Sequence, residues 1–301
     1  MPTLIQKLHE KKLIHPPQWL PDSTQYLIKM GSVAYGCAKD DSDMDIYGWV
    51  IPRKELIFSH LTGCVPGFGH PPETFEQYQQ HHIVDPDANA GKGQEYDLTI
   101  YSIVKYFQLC SENNPNVLDA LYIPQHCILH CSSIGQMVRD NRKMFIHKGC
   151  FHKLRGYAFA QLHKMKNKEK ESEKRQNDID EYGYDLKFAY HVVRVVLQCE
   201  QLLTEGDLDL MRNAELLKSI RRGEWTEEQI REFFDGKEKH LNNLYETSTV
   251  LPHKPDMAKL KELLLNCLEH HYGTLAGAVE RPSKLEDALR SIRQLIDQTG
   301  V

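Results

Sequence analysis

The sequence predicts an α+β protein in which a small mixed-sheet domain, residues 1–130, precedes an all-helical domain, residues 131–301. Short strand-like runs bounded by Gly, Pro, Asn and Asp lie in the first 130 residues. From about Ile134 onward, apolar residues recur at helical spacing instead. The change falls near residues 125–132, and a chain of 301 residues is long enough for two domains of ordinary size.

The first domain is predicted to begin with a short helix within residues 1–14, ending before Pro16 and Pro17. Strands are predicted at 25–30, 44–51 and 95–100, helices at 101–110 and 117–122, and a helix start or turn at 53–58. Residues 59–93, rich in Gly, Pro and His, are predicted to form a long loop over the entrance of a site.

The second domain is predicted to consist of helices at 133–145, 151–168, 182–204, 208–220, 226–246, 256–271 and 283–298. Residues 164–180 form a charge run of mixed sign. We interpret this run as a solvated continuation of the preceding helix, and a mobile basic arm that touches RNA is the alternative.

One stretch of the first domain combines features that suit phosphate chemistry. Gly31 and Ser32 follow the strand at 25–30, and residues 32–35 can open a helix. A glycine lets the backbone approach a bulky ligand closely. Free N–H groups at a helix N-terminus favour a phosphate, to which the Ser32 hydroxyl can add a donor. We therefore predict that Gly31 and Ser32 bind phosphate.

The next strand contributes two carboxylates. Asp43 and Asp45 are two residues apart and would share one face of the strand, because side chains alternate with period two. Carboxylates beside a phosphate site are ligands for hard divalent cations such as Mg²⁺. Two such ions, about 3.5–4 Å apart, can bind the attacking and leaving oxygens of a phosphoryl transfer. The alternative is a charged surface turn over residues 39–43.

These motifs resemble the DNA-polymerase-beta-type nucleotidyltransferase superfamily, in which a Gly-Ser pair precedes Asp-x-Asp. The longer match, over residues 31–48, is similar to one branch, the YcgL-type or RNA-repair-pathway polymerase-beta-like (RlaP) family. Residues 101–107, 114–118 and 187–194 also resemble this branch. The resemblance extends over about two thirds of the chain.

The resemblance implies a polymerase-beta-like domain with its active site in a cleft closed by the helical domain. It also implies that two Mg²⁺ ions, which Mn²⁺ could replace, are held by Asp43, Asp45 and a third carboxylate from a neighbouring strand. Asp97 is the best-placed candidate for this third ligand, and Glu95, on the same strand face, is the second. The alternative for Asp97 is a solvent-facing residue on an edge strand.

The helix predicted from residue 182 carries a polar stripe on a largely apolar surface. Lys187, His191 and Arg194 recur at i, i+4 and i+7 and therefore share one face. Such a stripe suits an anionic partner, and triphosphate oxygens are a natural one. Lys187 resembles the helical-domain lysine that reaches the triphosphate in related nucleotidyltransferases. The alternative is ion pairing with Asp185 or with acids of a neighbouring helix.

Composition limits the remaining classes. The net charge of −5 gives no support for a large sequence-independent nucleic-acid surface, although a local basic groove is compatible with it. No apolar run approaches the ~20 residues of a membrane span, and the N-terminus does not resemble a signal peptide. Eight cysteines without a C-x-x-C pair favour reduced thiols and a cytoplasmic location. Structural zinc in the His- and Cys-containing segment 126–152 is a weaker alternative.

The sequence therefore predicts a cytoplasmic, metal-dependent nucleotidyltransferase that moves a nucleoside monophosphate from an NTP to a hydroxyl and releases pyrophosphate. The family resemblance suggests an RNA end as the acceptor. One alternative is a nucleotidyltransferase that adenylylates a protein or a small molecule. The other is a non-catalytic nucleotide-binding protein, against which the three carboxylate candidates argue, since like charges held together are costly.

Overall fold

The computed structural model describes residues 2–38, 44–58, 74–166 and 173–273 of the chain. Its strands are β1 Thr24–Lys29, β2 Met44–Val50, β3 Gln77–Asp85, β4 Gln94–Ser102 and β5 Ile128–Cys131. Its helices are α1 Leu4–Glu10, α2 Lys54–Ile57, α3 Ala88–Gly91, α4 Ile103–Ser111, α5 Pro115–Leu121, α6 Ser133–Asp140, α7 Cys150–Lys166, α8 Glu173–Tyr182, α9 Leu186–Glu205, α10 Ala214–Arg221, α11 Glu227–Thr247 and α12 Met257–Tyr272. A mixed sheet followed by helices confirms the α+β class that the sequence predicts.

The five strands form one sheet in the order β3-β4-β2-β1-β5. β2 and β4 are parallel, whereas the other three pairs are antiparallel. A parallel pair requires a crossover connection, and the segment between β2 and β4 includes α2 and β3. In this strand order, β4, β2 and β1 lie inside the sheet, and β3 and β5 lie at its edges.

The two faces of the sheet are covered by different parts of the chain. Ile46 of β2 is fully buried in a cluster with Ile5 of α1. Trp49, on the opposite face of β2, belongs to a cluster that continues into the helices. Because side chains alternate along a strand, Asp45 and Tyr47 share the face of Trp49. The carboxylate of Asp45 thus lies on the helix-covered face.

Helix α9 is the buried centre of the helical part and packs against α7, α10 and α11. Asp185 caps its N-terminus by accepting hydrogen bonds from the backbone N–H groups of Lys187 at 2.8 Å and Phe188 at 3.0 Å. Gly206 ends it in the left-handed conformation, with φ +62°. Neither α9 nor any other described helix is long and apolar enough to cross a membrane.

Three local features differ from the sequence prediction. β3 lies within the segment predicted to be a loop. The sequence does not predict this edge strand, because its residues are mostly polar and lack apolar alternation. β5 lies at the predicted domain boundary. Residues 32–35 do not open an α-helix, because a single 3₁₀ turn, Gly31–Val33, is followed by Gly36 at φ +67°. The predicted helix at 283–298 and residues 59–73 of the predicted loop lie outside the described residues.

β5 also crosses the predicted domain boundary at residues 130 and 131. It pairs with β1 and so completes the sheet. One cluster of buried apolar side chains runs from the sheet through α4 and α5 into α6, α7 and α9. The sheet and the helices therefore share a core, and the division into two domains stays a prediction.

Candidate active site

Two acidic residues occupy paired positions on the parallel strands. Asp45 of β2 lies opposite Asp97 of β4 in the strand register. Paired residues of neighbouring strands point to the same face, and such strands lie about 4.8 Å apart. Both carboxylates therefore lie on the sheet face that meets the helices. This register agrees with the placement that the sequence predicts for Asp97, while its catalytic role stays a prediction.

The turn after β1 passes directly over Asp45. The backbone N–H of Met30 donates to the carbonyl oxygen of Asp45 at 2.7 Å. Gly31 has φ +67°, and a β-carbon built on it would lie 2.0 Å from Oδ2 of Asp45. The left-handed backbone and the close approach both require glycine. Ser32 follows in the same turn, so the structure brings Gly31 and Ser32 beside the carboxylate pair.

A bulge in β3 supplies partners for Asp97 that the sequence does not predict. The pairing with β4 slips between Gln80 and Ile83, and His82 has φ +56°. The backbone N–H of His82 donates to Oδ1 of Asp97 at 2.9 Å, and Nδ1 of His81 lies 3.5 Å from the same oxygen. These contacts orient the carboxylate. The sequence feature that could have indicated these partners is the pair of adjacent histidines, His81 and His82, in a polar segment.

Glu95 has a different partner. Its Oε1 lies 2.6 Å from Nδ1 of His82, near the edge of the sheet. Asp97, and not Glu95, is the residue paired with Asp45. Asp43, the remaining predicted carboxylate, lies outside the described residues.

Tyr47 connects the carboxylate face to the helices. Burial raises the pKa of its hydroxyl, and the hydroxyl of Tyr101 and the charge of Asp45 raise this pKa further, followed by smaller effects of Tyr157 and Asp97. Tyr157 of α7 packs against the same apolar cluster as Tyr47. Tyr47 stays protonated at neutral pH and can donate a hydrogen bond in the site.

The three residues of the α9 stripe differ in burial. Lys187 is exposed, His191 is half-buried and Arg194 is buried. The imidazole of His191 packs edge-on against the ring of Tyr157, with centroids 6.4 Å apart. Tyr157 and Tyr47 pack against the same apolar cluster. Phosphate binding by Lys187 and His191 stays a prediction.

Arg194 has a protein partner in place of the phosphate that the sequence predicts. Its Nη1 lies 2.7 Å from Oδ2 of Asp119 of α5, and the two side chains are 4% and 1% exposed. The same nitrogen donates to the hydroxyl of Tyr35 at 2.5 Å, and the guanidinium lies over the Tyr35 ring, 4.3 Å from its centroid. This contact matches the alternative stated from the sequence, in which the stripe pairs with an acid of a neighbouring helix. Burial is the physical reason for the correction, because both side chains are enclosed by the protein and the guanidinium must pair there with the carboxylate of Asp119.

Asp119 and Tyr35 complete this buried group. The hydroxyl of Tyr35 donates to Oδ2 of Asp119 at 2.5 Å, and Nε2 of Gln198 donates to the same oxygen at 3.1 Å. Burial holds the pKa of Tyr35 well above its ordinary value. The sequence predicts no role for either residue. An acid flanked by apolar residues in the Pro115–Leu121 helix is the signal that could have identified Asp119.

The carboxylates of the sheet are the predicted metal ligands. Within the described ranges, no three His, Cys, Asp or Glu side chains are grouped in a way that would hold a metal ion. That statement includes segment 126–152, where the weaker zinc alternative lies. Asp45 and Asp97 lie at paired positions on one face of the sheet, and Asp43 would be the third predicted ligand.

Comparisons with known proteins add a family. The model of the RNA repair pathway DNA polymerase beta family (RlaP) matches residues 6–275. Among solved structures, the chain is similar to a nucleotidyltransferase-like protein from Exiguobacterium sibiricum 255-15, with 11% sequence identity, 98% of this chain and 90% of that chain covered, and a TM-score of 0.28. This structural likeness is too weak to support an argument about chemistry. No curated protein matches the chain.

Proposed function

Because the chain belongs to the RNA repair pathway DNA polymerase beta family, we propose that it is a metal-dependent nucleotidyltransferase that uses an NTP and a hydroxyl acceptor. Membership of the family supports nucleotidyl transfer in general. The observation that carries the specific proposal is the pairing of Asp45 with Asp97 beneath the Gly31 turn.

The proposed reaction transfers the nucleoside monophosphate from the NTP to the acceptor hydroxyl. The acceptor hydroxyl oxygen forms a bond to the α-phosphorus of the NTP, and the bond from that phosphorus to the oxygen bridging to the β-phosphorus breaks. Pyrophosphate leaves with the electron pair, and Asp97 accepts the hydroxyl proton. Positioning and charge neutralisation supply most of the catalysis in such transfers.

The donor set suits magnesium. Two carboxylates at paired strand positions repel each other, and a cation between them would relieve this repulsion. Mg²⁺ prefers hard oxygen ligands of this kind. Asp45 and Asp97, together with Asp43, would hold the two ions. When bound, these ions neutralise negative charge on the phosphates and lower the pKa of the attacking hydroxyl.

The triphosphate has candidate ligands on two sides. Gly31 and Ser32 lie in the turn over Asp45 and would bind the β- and γ-phosphates. Lys187 and His191 of α9 approach from the helices, where Tyr157 packs against His191, and would bind the phosphates from the opposite side. Cationic groups and backbone N–H groups are both effective phosphate ligands.

We take an RNA end as the acceptor, because the family is described by an RNA repair pathway. The net charge of −5 indicates that RNA would be bound over a short segment and not along an extended basic surface. A hydroxyl at an RNA end requires contacts only near the site.

A labelling experiment tests the proposal. The protein is incubated with Mg²⁺ or Mn²⁺, each NTP labelled at its α-phosphate, and a mixed RNA pool. Asp45→Asn removes one charge from the carboxylate pair without changing the shape of the side chain. Asp235→Asn, at an exposed position of α11, is the matched control. We expect label on RNA with the wild type and the control and none with Asp45→Asn.

The other outcomes separate the alternatives. Label on protein, dependent on Asp45, would overturn the RNA acceptor and favour adenylylation. NTP binding without label on any acceptor would count against catalysis and favour a binding protein. Equal labelling by wild type and Asp45→Asn would show that the carboxylate pair is not the active site.

A further inference from the structure

The turn that contains Gly31 and Ser32 is attached to the helices through three successive residues. The hydroxyl of Tyr35 binds Asp119 and Arg194. Gly36 lies against the start of α10, since a β-carbon built there would be 3.2 Å from Cβ of Ala214. The carbonyl oxygen of Cys37 accepts a hydrogen bond from Nη1 of Arg221 at 2.9 Å. The position of the turn is therefore set by helices as well as by β1.

The deepest of these attachments reaches the helix that carries the α9 stripe. Arg194 follows His191 by three residues and Lys187 by seven. With a rise of about 1.5 Å per residue, Lys187 lies about 10 Å along the helix axis from Arg194. On the other side of the contact, Tyr35 lies three residues after Ser32, just as Arg194 lies three residues after His191. The contact of Tyr35 with Arg194 therefore joins the two elements that carry the proposed phosphate ligands.

Stability alone does not explain this buried group. Desolvation of a buried ion pair offsets much of its attraction, so such a pair contributes little compared with apolar side chains of similar volume. Nε of Arg194 is also buried without a hydrogen-bond acceptor among the residues that the structure describes, which adds a further cost. What the group supplies is a defined geometry, because Asp119 Oδ2 accepts from both Tyr35 and Arg194.

We propose that Tyr35, Asp119 and Arg194 are positioning residues that hold the Gly31-Ser32 turn against α9, so that both sides of the triphosphate site are formed before the nucleotide binds. The inference rests on the proposed function, because it concerns the same NTP site. Preorganisation of this kind increases affinity by removing the cost of ordering the site during binding.

Tyr35→Phe is the most direct test. It removes one hydroxyl and leaves the Arg194–Asp119 ion pair in place. Tyr26→Phe is the matched control, because Tyr26 is equally buried and its hydroxyl donates at 3.0 Å to the carbonyl oxygen of Ala120, also on α5. The measurements are the dissociation constant of a non-hydrolysable NTP analogue with Mg²⁺, by calorimetry, and the melting temperature of each variant.

We expect Tyr35→Phe, which loses the hydrogen bonds to Asp119 and Arg194, to weaken NTP binding about tenfold through lost preorganisation. Tyr26→Phe should leave binding unchanged. The two melting temperatures should fall by similar amounts. Asp119→Asn, a second variant, should weaken NTP binding in the same direction. Unchanged binding by Tyr35→Phe, or equal weakening by both tyrosine variants, would overturn the inference while leaving the proposed function in place. A wild-type protein that binds no NTP would overturn the proposed function and this inference together.

Discussion

Gly31 and Asp45 approach each other so closely that no side chain fits between them: a β-carbon on Gly31 would lie 2.0 Å from Oδ2 of Asp45. Gly31 also has φ +67°, a conformation that side-chain-bearing residues rarely adopt. The turn and the carboxylate are thereby held together, although they belong to different elements of the sheet. This contact places a backbone suited to phosphate next to a ligand suited to Mg²⁺.

Replacing Gly31 by alanine should displace the Asp45 carboxylate. We expect the rate of nucleotidyl transfer to fall about 10²-fold, as misplacement of a reacting group by about 1 Å does in other enzymes, and the left-handed alanine to cost about 1 kcal/mol of stability. The measurements are the labelling rate and urea unfolding. Gly156→Ala is the control, because a β-carbon on this α7 residue meets no atom within 4 Å. Wild-type activity in Gly31→Ala would mean that the position of Asp45 does not matter for transfer.

Asp97→Asn should weaken metal binding and transfer together. Loss of one charge from the carboxylate pair is expected to lower Mn²⁺ affinity at least tenfold, and removal of a preorganised electrostatic group lowers kcat by about 10²-fold. Mn²⁺ binding is measured by electron paramagnetic resonance, independently of activity. Asp87→Asn, whose carboxylate is 78% exposed, serves as the control. An Asp97→Asn protein with wild-type Mn²⁺ affinity would remove Asp97 from the metal site.

Asp119→Ala should be among the most destabilising single substitutions in this chain. It would leave the guanidinium of Arg194 buried without its carboxylate, and breaking a buried pair in this way costs about 3–5 kcal/mol. Urea unfolding provides the free energy. Glu205→Ala is the comparison, since its ion pair with Arg212 is exposed to solvent and should contribute little. Similar losses in the two variants would contradict the role assigned to burial.

The stability of the chain should decrease in mild acid through His271 of α12. Burial lowers the pKa of His271, and the nearby Lys54 lowers it further. The folded state then binds the proton less readily than the unfolded state. The free energy of unfolding therefore decreases as the pH falls from the ordinary histidine pKa of about 6.5 toward the lower pKa of His271 in the folded state.

Melting temperatures at about pH 7.5 and about pH 5.5 measure this effect. The decrease between the two should be smaller in His271→Gln than in the wild type. His270→Gln changes the exposed neighbour and controls for the loss of a histidine from the same helix. An identical decrease in all three proteins would exclude His271 as the cause.

Much of the sheet could be predicted because the relevant signals are local. Strand-like runs bounded by turn residues identified β1, β2 and β4, and the family resemblance suggested Asp97 as the third carboxylate. That Asp97 shares a sheet face with Asp45 depends on the register of the two strands. β3 was not predicted, since an edge strand exposed to solvent does not need apolar residues on either side. The bulge that brings His81 and His82 to Asp97 depends on pairing with β4 and leaves no periodic signal in β3 itself.

From neighbouring positions alone, the sequence predicts the strand that carries Asp45 and the common helix face of Lys187, His191 and Arg194. The helix start that it predicts at residues 32–35 is a 3₁₀ turn in the structure. Helix and strand periodicity are short-range properties, so the amino acids within one or two turns suffice to predict them. Which partner each polar group finds is a long-range property. Tyr35 and Asp119 are 84 residues apart, and Asp119 and Arg194 are 75 apart. Their contact exists because these side chains are buried in the protein interior, where a charged group is stable only when it is paired.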